Sequence, residues 1–270
     1  MARPSTIALA GLLVLVSLGA SGAEPLFPEP LHLTREIHDP ITGRTTIVEE
    51  YFSGDRAISI AGAVTAIVDY SKGESIRIDR GNGTWSVATL DALARASRRK
   101  GAKSIAATGE AWSVRAAGSA RRGANNVSLY RAAQPAAASG PRVEIEIAID
   151  HAVALTRAGA EVIAGAAWPN ERSPEAAAIL RAAEGEGTVG QSAAGAIAAS
   201  DRLGLPLEVT IVWRDGGEEL RFVNRVIRAG TERPPPEALD IAPGSRLVDD
   251  PRVAAAVLLD SLDRQEAPRE

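Results

Sequence analysis

"GLPLEVTIVWRDGGEELRFVNRVIRAG", residues 204–230, is the stretch whose reading decides the fold. Leu207, Val209, Ile211 and Trp213 alternate with Glu208, Thr210, Val212 and Arg214. Across "DGGE", Leu220, Phe222, Asn224 and Val226 alternate with Glu219, Arg221, Val223 and Arg225. Successive side chains of a strand point to opposite faces, so each half is a strand with one dry side and one wet side. The glycine turn makes them a hairpin. Trp213 and Phe222 sit on the side that covers a core, and the charge pairs on the other side are worth little one by one. The ribbon is chiefly a sheet element.

The same period runs through the first third of the chain. "LHLTREIHD" (31–39) and "TTIVEEYFSG" (45–54) flank "PITG", a turn with proline at its first position and glycine at its end. "ISIAGAVTAIVDYS" (58–71) continues with β-branched residues, and "KGESIRIDRGNGTWSVAT" (72–89) supplies a second hairpin around "GNG". Further on, "RVEIEIAID" (142–150) alternates almost perfectly, and "AWSVRAAG" and "NNVSLYRA" read as strands. Helical spacing predicts helices over "TLDALARASRRKG", capped by Thr89 or Ser86, and over "HAVALTRAGAEVIAGAA". "SPEAAAILRAAE" has Ser173 as cap with Pro174 at the first helical position, and "GQSAAGAIAASDRLG" is a loose, alanine-rich helix. The tail adds a strand-like "SRLV", a helix started by "DDP" and continuing around Val253–Leu262, and a fraying end. The expected fold class is α+β: a curved antiparallel sheet or incomplete β-barrel covered by helices. It forms a single domain over 24–270, with a variable insertion near 102–200.

Residues 1–23 have Arg3 in a short basic leader, an apolar run from Ile7 to Leu18, and small residues Ser21 and Ala23 before a cut. That is the form of a signal peptide, and the run is too short to cross a bilayer comfortably. The expectation is an exported bacterial protein, periplasmic or secreted, with no integral span after cleavage. There are 34 acidic and 30 basic residues, and loss of Arg3 makes the mature chain one unit more negative than the −4 of the whole. This balance gives nucleic acid little reason to bind. The absence of cysteine excludes disulfides, thiol catalysis and cysteine metal sites.

Motifs for chemistry are sparse. His38–Asp39 and Asp150–His151 are adjacent in sequence and so do not face one way, which makes neither a ready dyad or ligand set. Glu144 and Glu146 share a strand face that reads as wet, and no G-x-S-x-G elbow or phosphate-binding glycine loop is present. No catalytic residue, metal ligand or cofactor is assigned. The aromatic residues Trp85, Trp112, Trp168 and Trp213, with Tyr51, Phe52, Tyr70, Tyr130 and Phe222, are scattered along the chain. Either they fill a core, or several line one sheet face as an apolar pocket. On the second reading the candidate ligand-binding residues are Trp85, Trp213, Phe222, Tyr51 and Tyr70.

The hairpin "TREIHDPITGRTTIVEEYFSGDRAIS", the pair "ESIRIDRGNGTWSV", the 204–230 ribbon and the closing "PPPEALDIAPGSRLVDD" together resemble the LolA/LolB-like superfamily of periplasmic lipid carriers. They also resemble the related uncharacterised outer-membrane-lipoprotein-sorting-like proteins. The likeness covers Leu31–Thr89 and Leu205–Asp249, a little under half the chain. It implies an incomplete antiparallel barrel closed by helices whose inner face holds acyl chains, with Trp85, Trp213 and Phe222 among the inner residues. Lipoprotein transfer between membranes is not carried over, because 102–200 does not match. Three functions follow from this reading. The first is non-catalytic binding of a lipid or other hydrophobic ligand. The second is a structural or accessory envelope protein with a closed core that binds another protein, and the third is an uncharacterised hydrolase.

Overall fold

The computed structural model describes residues 24–101, 113–133, 142–167, 174–184, 202–215 and 217–254. The strands, in chain order, are β1 (Phe27–Asp39), β2 (Arg44–Gly54), β3 (Arg56–Ala61), β4 (Val64–Asp69), β5 (Glu74–Asp79) and β6 (Thr84–Thr89), then β7 (Ser113–Arg122), β8 (Asn125–Ala133), β9 (Arg142–Thr156), β10 (Arg202–Asp215), β11 (Glu218–Gly230) and β12 (Arg246–Leu247). Helix α1 (Leu90–Gly101) follows β6, while α2 (Arg157–Ala167) and α3 (Pro174–Ala183) lie between β9 and β10. All twelve strands form one sheet in the order β12-β6-β5-β4-β3-β2-β1-β11-β10-β9-β8-β7. It is a pair of hairpin meanders joined where β1 pairs with β11.

This corrects the expected fold class. The described chain is not an α+β sheet roofed by helices but a sheet-dominated fold, open between β12 and β7. It is mixed rather than purely antiparallel, because β12 pairs in parallel with β6. The sequence at 151–167 shows why helix was overestimated. "HAVALT" is rich in alanine and apolar residues, yet β9 runs on to Thr156 and pairs with β10 as far as Arg202. Tertiary pairing overrides local propensity there. Where residues are described, the readings at 111–118 and 125–132 do give strands, the hairpin β7–β8 that starts at Ser113. Trp112, Trp168, Ser173, most of "GQSAAGAIAASDRLG" and the tail beyond Ala254 lie outside the described residues.

Register assigns every side chain to a face. Leu33, Phe52, Ala57, Val68, Ile145, Ile147, Val209 and Ile211 share the inner face, where they form one buried cluster with Ile163 of α2 and Ile179 of α3. Thr156 Oγ1 accepts from Gly159 N (3.0 Å) and donates to Leu26 O (2.6 Å), so one hydroxyl caps α2 and ties it to the start of β1. Gly159 has no room for a side chain: a Cβ there would come within 2.7 Å of Leu26 O. Thr89 caps α1 through Ala92 N (3.2 Å), and the stripe Leu90, Leu93 and Ala94 is buried.

After β11 the chain crosses the outer face. Arg80 anchors that crossing by donating to Thr65 Oγ1 (2.9 Å) and to the carbonyls of Glu237 (2.7 Å) and Asp240 (3.4 Å). The strand-like "SRLV" then joins the sheet edge as β12, and Asp250 starts a helical turn at 251–254 by accepting from Arg252 N at 2.9 Å.

Candidate functional site

The aromatic residues singled out in the sequence do not converge. Trp213 and Phe222 lie on the inner face beside each other, since Ile211 pairs with Phe222 and Trp213 with Leu220. Both are half-buried, and Tyr70 is buried within the same core. Tyr51 and Trp85 lie on the opposite face. A cross-strand row runs Thr34–Glu49–Ile60–Thr65–Ile78–Trp85. Its neighbour runs His32–Tyr51–Ile58–Ile67–Ile76–Val87. The expectation that Trp85 shares an inner face with Trp213 and Phe222 is therefore corrected: five strand pairings separate it from β1, and the register carries it outward.

Trp85 instead walls an open groove of about 1280 Å³ at the β6–β12 edge. Leu247 stands beside it in register and is 59% exposed, Val87 is 44% exposed, and Ala92 of α1 with Val253 completes the apolar wall. Backbone bonds from Arg246 N to Gly83 O and Val248 N to Trp85 O, both 2.9 Å, fix this edge. Asp250 closes the floor. Burial pushes its carboxyl up, but hydrogen bonds from Arg252 and Ser86 outweigh that and hold it below the usual carboxylate range. Arg252 Nη2 donates to Asp250 Oδ2 (2.7 Å) and to Ser75 Oγ (3.3 Å), and Ser86 Oγ donates to Asp250 Oδ2 (3.3 Å).

Two polar clusters flank β1, one on each face. On the outer face buried His32 stacks on Tyr51, with ring centroids 4.3 Å apart and an interplanar angle of 4°. Its Nε2 meets Glu49 Oε2 and its Nδ1 lies 3.0 Å from Glu232 Oε2. Thr34 also donates to Glu49 (3.0 Å), and Arg228 pairs with Glu232. The hydrogen bond from His32, with help from a backbone hydrogen bond and the Arg228 charge, lowers the Glu232 pKa to about 2. Burial raises the Tyr51 pKa, and the charges of Glu49 and Glu232 raise it further. On the inner face Arg35, Glu50 and Asn224 meet, all buried. Sequence reasoning passed over this second cluster, although it left a signal. In Leu33-x-Arg35-x-Ile37, Val48-x-Glu50-x-Phe52 and Phe222-x-Asn224-x-Val226 a polar residue occupies the apolar phase of each strand.

The remaining histidines are apart. His38 Nδ1 lies 3.3 Å from Thr45 Oγ1 at the surface. His151 Nε2 lies 3.2 Å from Tyr130 OH, and desolvation lowers the His151 pKa while the Asp150 charge works against it. Neither contact aligns a carboxylate, an imidazole and a nucleophile among the described residues. Likewise, no group of three His, Asp or Glu residues that could hold a metal ion occurs among them. No helix among them is long and apolar enough to cross a membrane. No family model and no curated protein matches the chain.

Proposed function

We propose that the protein binds a lipid or other greasy molecule, without catalysis, in the groove walled by Trp85, Val87, Leu247 and Val253. The observation that carries this reading is the groove itself: about 1280 Å³, with large apolar side chains standing exposed along one sheet edge. Exposed apolar residues that adjoin one another in a concavity mark binding surfaces more often than residues scattered singly. The basic leader and apolar run at the N-terminus fit a place of action in the periplasm or outside the cell. The sequence likeness to periplasmic lipid carriers points the same way.

Titration with an environment-sensitive apolar dye tests the reading. Leu247→Glu places a charge beside Trp85 at a position exposed enough to accept it, and it should abolish dye binding while leaving the unfolding midpoint unchanged. Equal binding by parent and variant counts against the groove.

A second reading rests on β7. It ends the sheet, its residues are exposed or half-buried, and it carries Arg115, Arg121 and Arg122. An open edge offers unpaired backbone groups to an extended segment of another protein, which is the accessory role. Cross-linking from position 115 in the native envelope should recover a single partner if that role holds.

A further inference from the structure

The inner face contains a buried cation whose donors are only partly used. Arg35 is 1% exposed; its Nε donates to Glu50 Oε2 at 2.5 Å and its Nη1 to Asn224 Oδ1 at 3.4 Å. Its Nη2, also buried, meets no acceptor among the described residues. A carboxylate matched to a guanidinium takes two parallel N–H bonds, whereas the bond seen here joins Nε to one oxygen of Glu50. A buried donor without an acceptor costs free energy, the more so when charged. The neighbours on this face are Val226, paired with Arg35, and Ile37, paired with Asn224. Phe222 precedes Asn224 by two residues along β11, and all three apolar side chains are half-buried.

We propose that Arg35 Nη2 anchors the oxyanion of a small carboxylate- or phosphate-bearing ligand, seated on the inner face where β1, β2 and β11 meet. The planar, permanently charged guanidinium suits both oxyanions. Asn224 holds the neighbouring Nη1 of the same guanidinium, and Val226 and Phe222 offer an apolar path for whatever the acid group carries. The site is distinct from the groove, because Trp85 lies on the opposite face, and it stands whether or not the groove binds lipid.

Calorimetric titration of the purified protein with sodium octanoate, 1-octanol and inorganic phosphate tests it. Octanoate should bind at least tenfold more tightly than octanol, and Arg35→Gln should erase that difference. Arg35→Lys keeps a positive charge beside Glu50 but loses the planar fork of donors. It should weaken octanoate binding at least severalfold, and it decides the matter if Arg35→Gln does not fold. Phosphate binding that needs Arg35, without octanoate binding, supports the oxyanion site and assigns it to a free anion. Equal affinities for octanoate and octanol with no phosphate binding overturn the proposal, as does anion binding that neither variant alters. Trp85→Ala should leave the octanoate-to-octanol ratio unchanged, so failure of the groove reading and failure of this one give different patterns.

Discussion

Removing Glu50 alone should be among the most destabilising single changes in the sheet. Arg35 and Glu50 are 1% and 5% exposed, so both charges have given up their water. Charge centres about 4 Å apart attract by about 4 kcal/mol at an effective dielectric of 20, which offsets that desolvation. In Glu50→Ala the guanidinium stays buried, keeps its desolvation cost and retains only the long bond to Asn224. The expected loss is about 3–5 kcal/mol. Replacing both partners with apolar residues of similar size, Arg35→Met with Glu50→Leu, removes the cost along with the attraction. That double variant should lie within about 1–2 kcal/mol of the parent, with a coupling of at least about 2 kcal/mol in the cycle. Urea unfolding at pH 7, followed by far- and near-ultraviolet circular dichroism with coincident transitions, measures all four corners. A Glu50→Ala cost below about 1 kcal/mol, or a double variant as unstable as the sum of its singles, refutes the reasoning.

Gly159→Ala should destabilise by about 1–3 kcal/mol although alanine is the better helix former, because the new methyl meets the Leu26 carbonyl at 2.7 Å; a higher urea midpoint would contradict this. Gly204→Ala should behave alike, since a Cβ there collides with Ile149 and comes within 2.7 Å of His151 Nδ1. For Glu232 the folded pKa of about 2 lies below its ordinary value of 4.5, so its stabilising contribution is present above that value and lost as pH falls towards 2. Glu232→Gln should therefore flatten the fall of the urea midpoint between about pH 5 and 2.5, and an unchanged acid profile would remove the contact from the account. Trp85→Ala should weaken binding of an apolar dye by about 2 kcal/mol, roughly 30-fold, if about half of a buried indole's area faces the ligand.

How much of this was legible depended on phase. Strict alternation at 142–150 and 207–226 announced strands, and "PITG", "GNG" and "DGG" announced the hairpins; the strands are present and pair as those hairpins require. The turn glycines do what the chain there requires, as in Gly83, whose φ of +59° a side chain would resist. The strand 151–156 was hidden because the run Ala152–Leu155 is apolar throughout and shows no polar–apolar period of two. The face occupied by Trp85 was hidden for another reason. A sequence fixes which residues share a face within one strand, but the side that face takes emerges only from successive pairings across the sheet. Tyr51, a candidate ligand contact by sequence, stacks on His32, a partner nineteen positions away in sequence and directly opposite in register.

Lipid extraction of protein purified natively from the cells that make it, read by mass spectrometry, puts the groove to the most direct trial. Parent protein should carry a hydrophobic molecule in near-stoichiometric amount, and Leu247→Glu, folded to the same midpoint, should carry none. A parent that emerges with nothing bound, or a variant that retains the same cargo, would show that the surface around Trp85 is not where this protein holds a ligand.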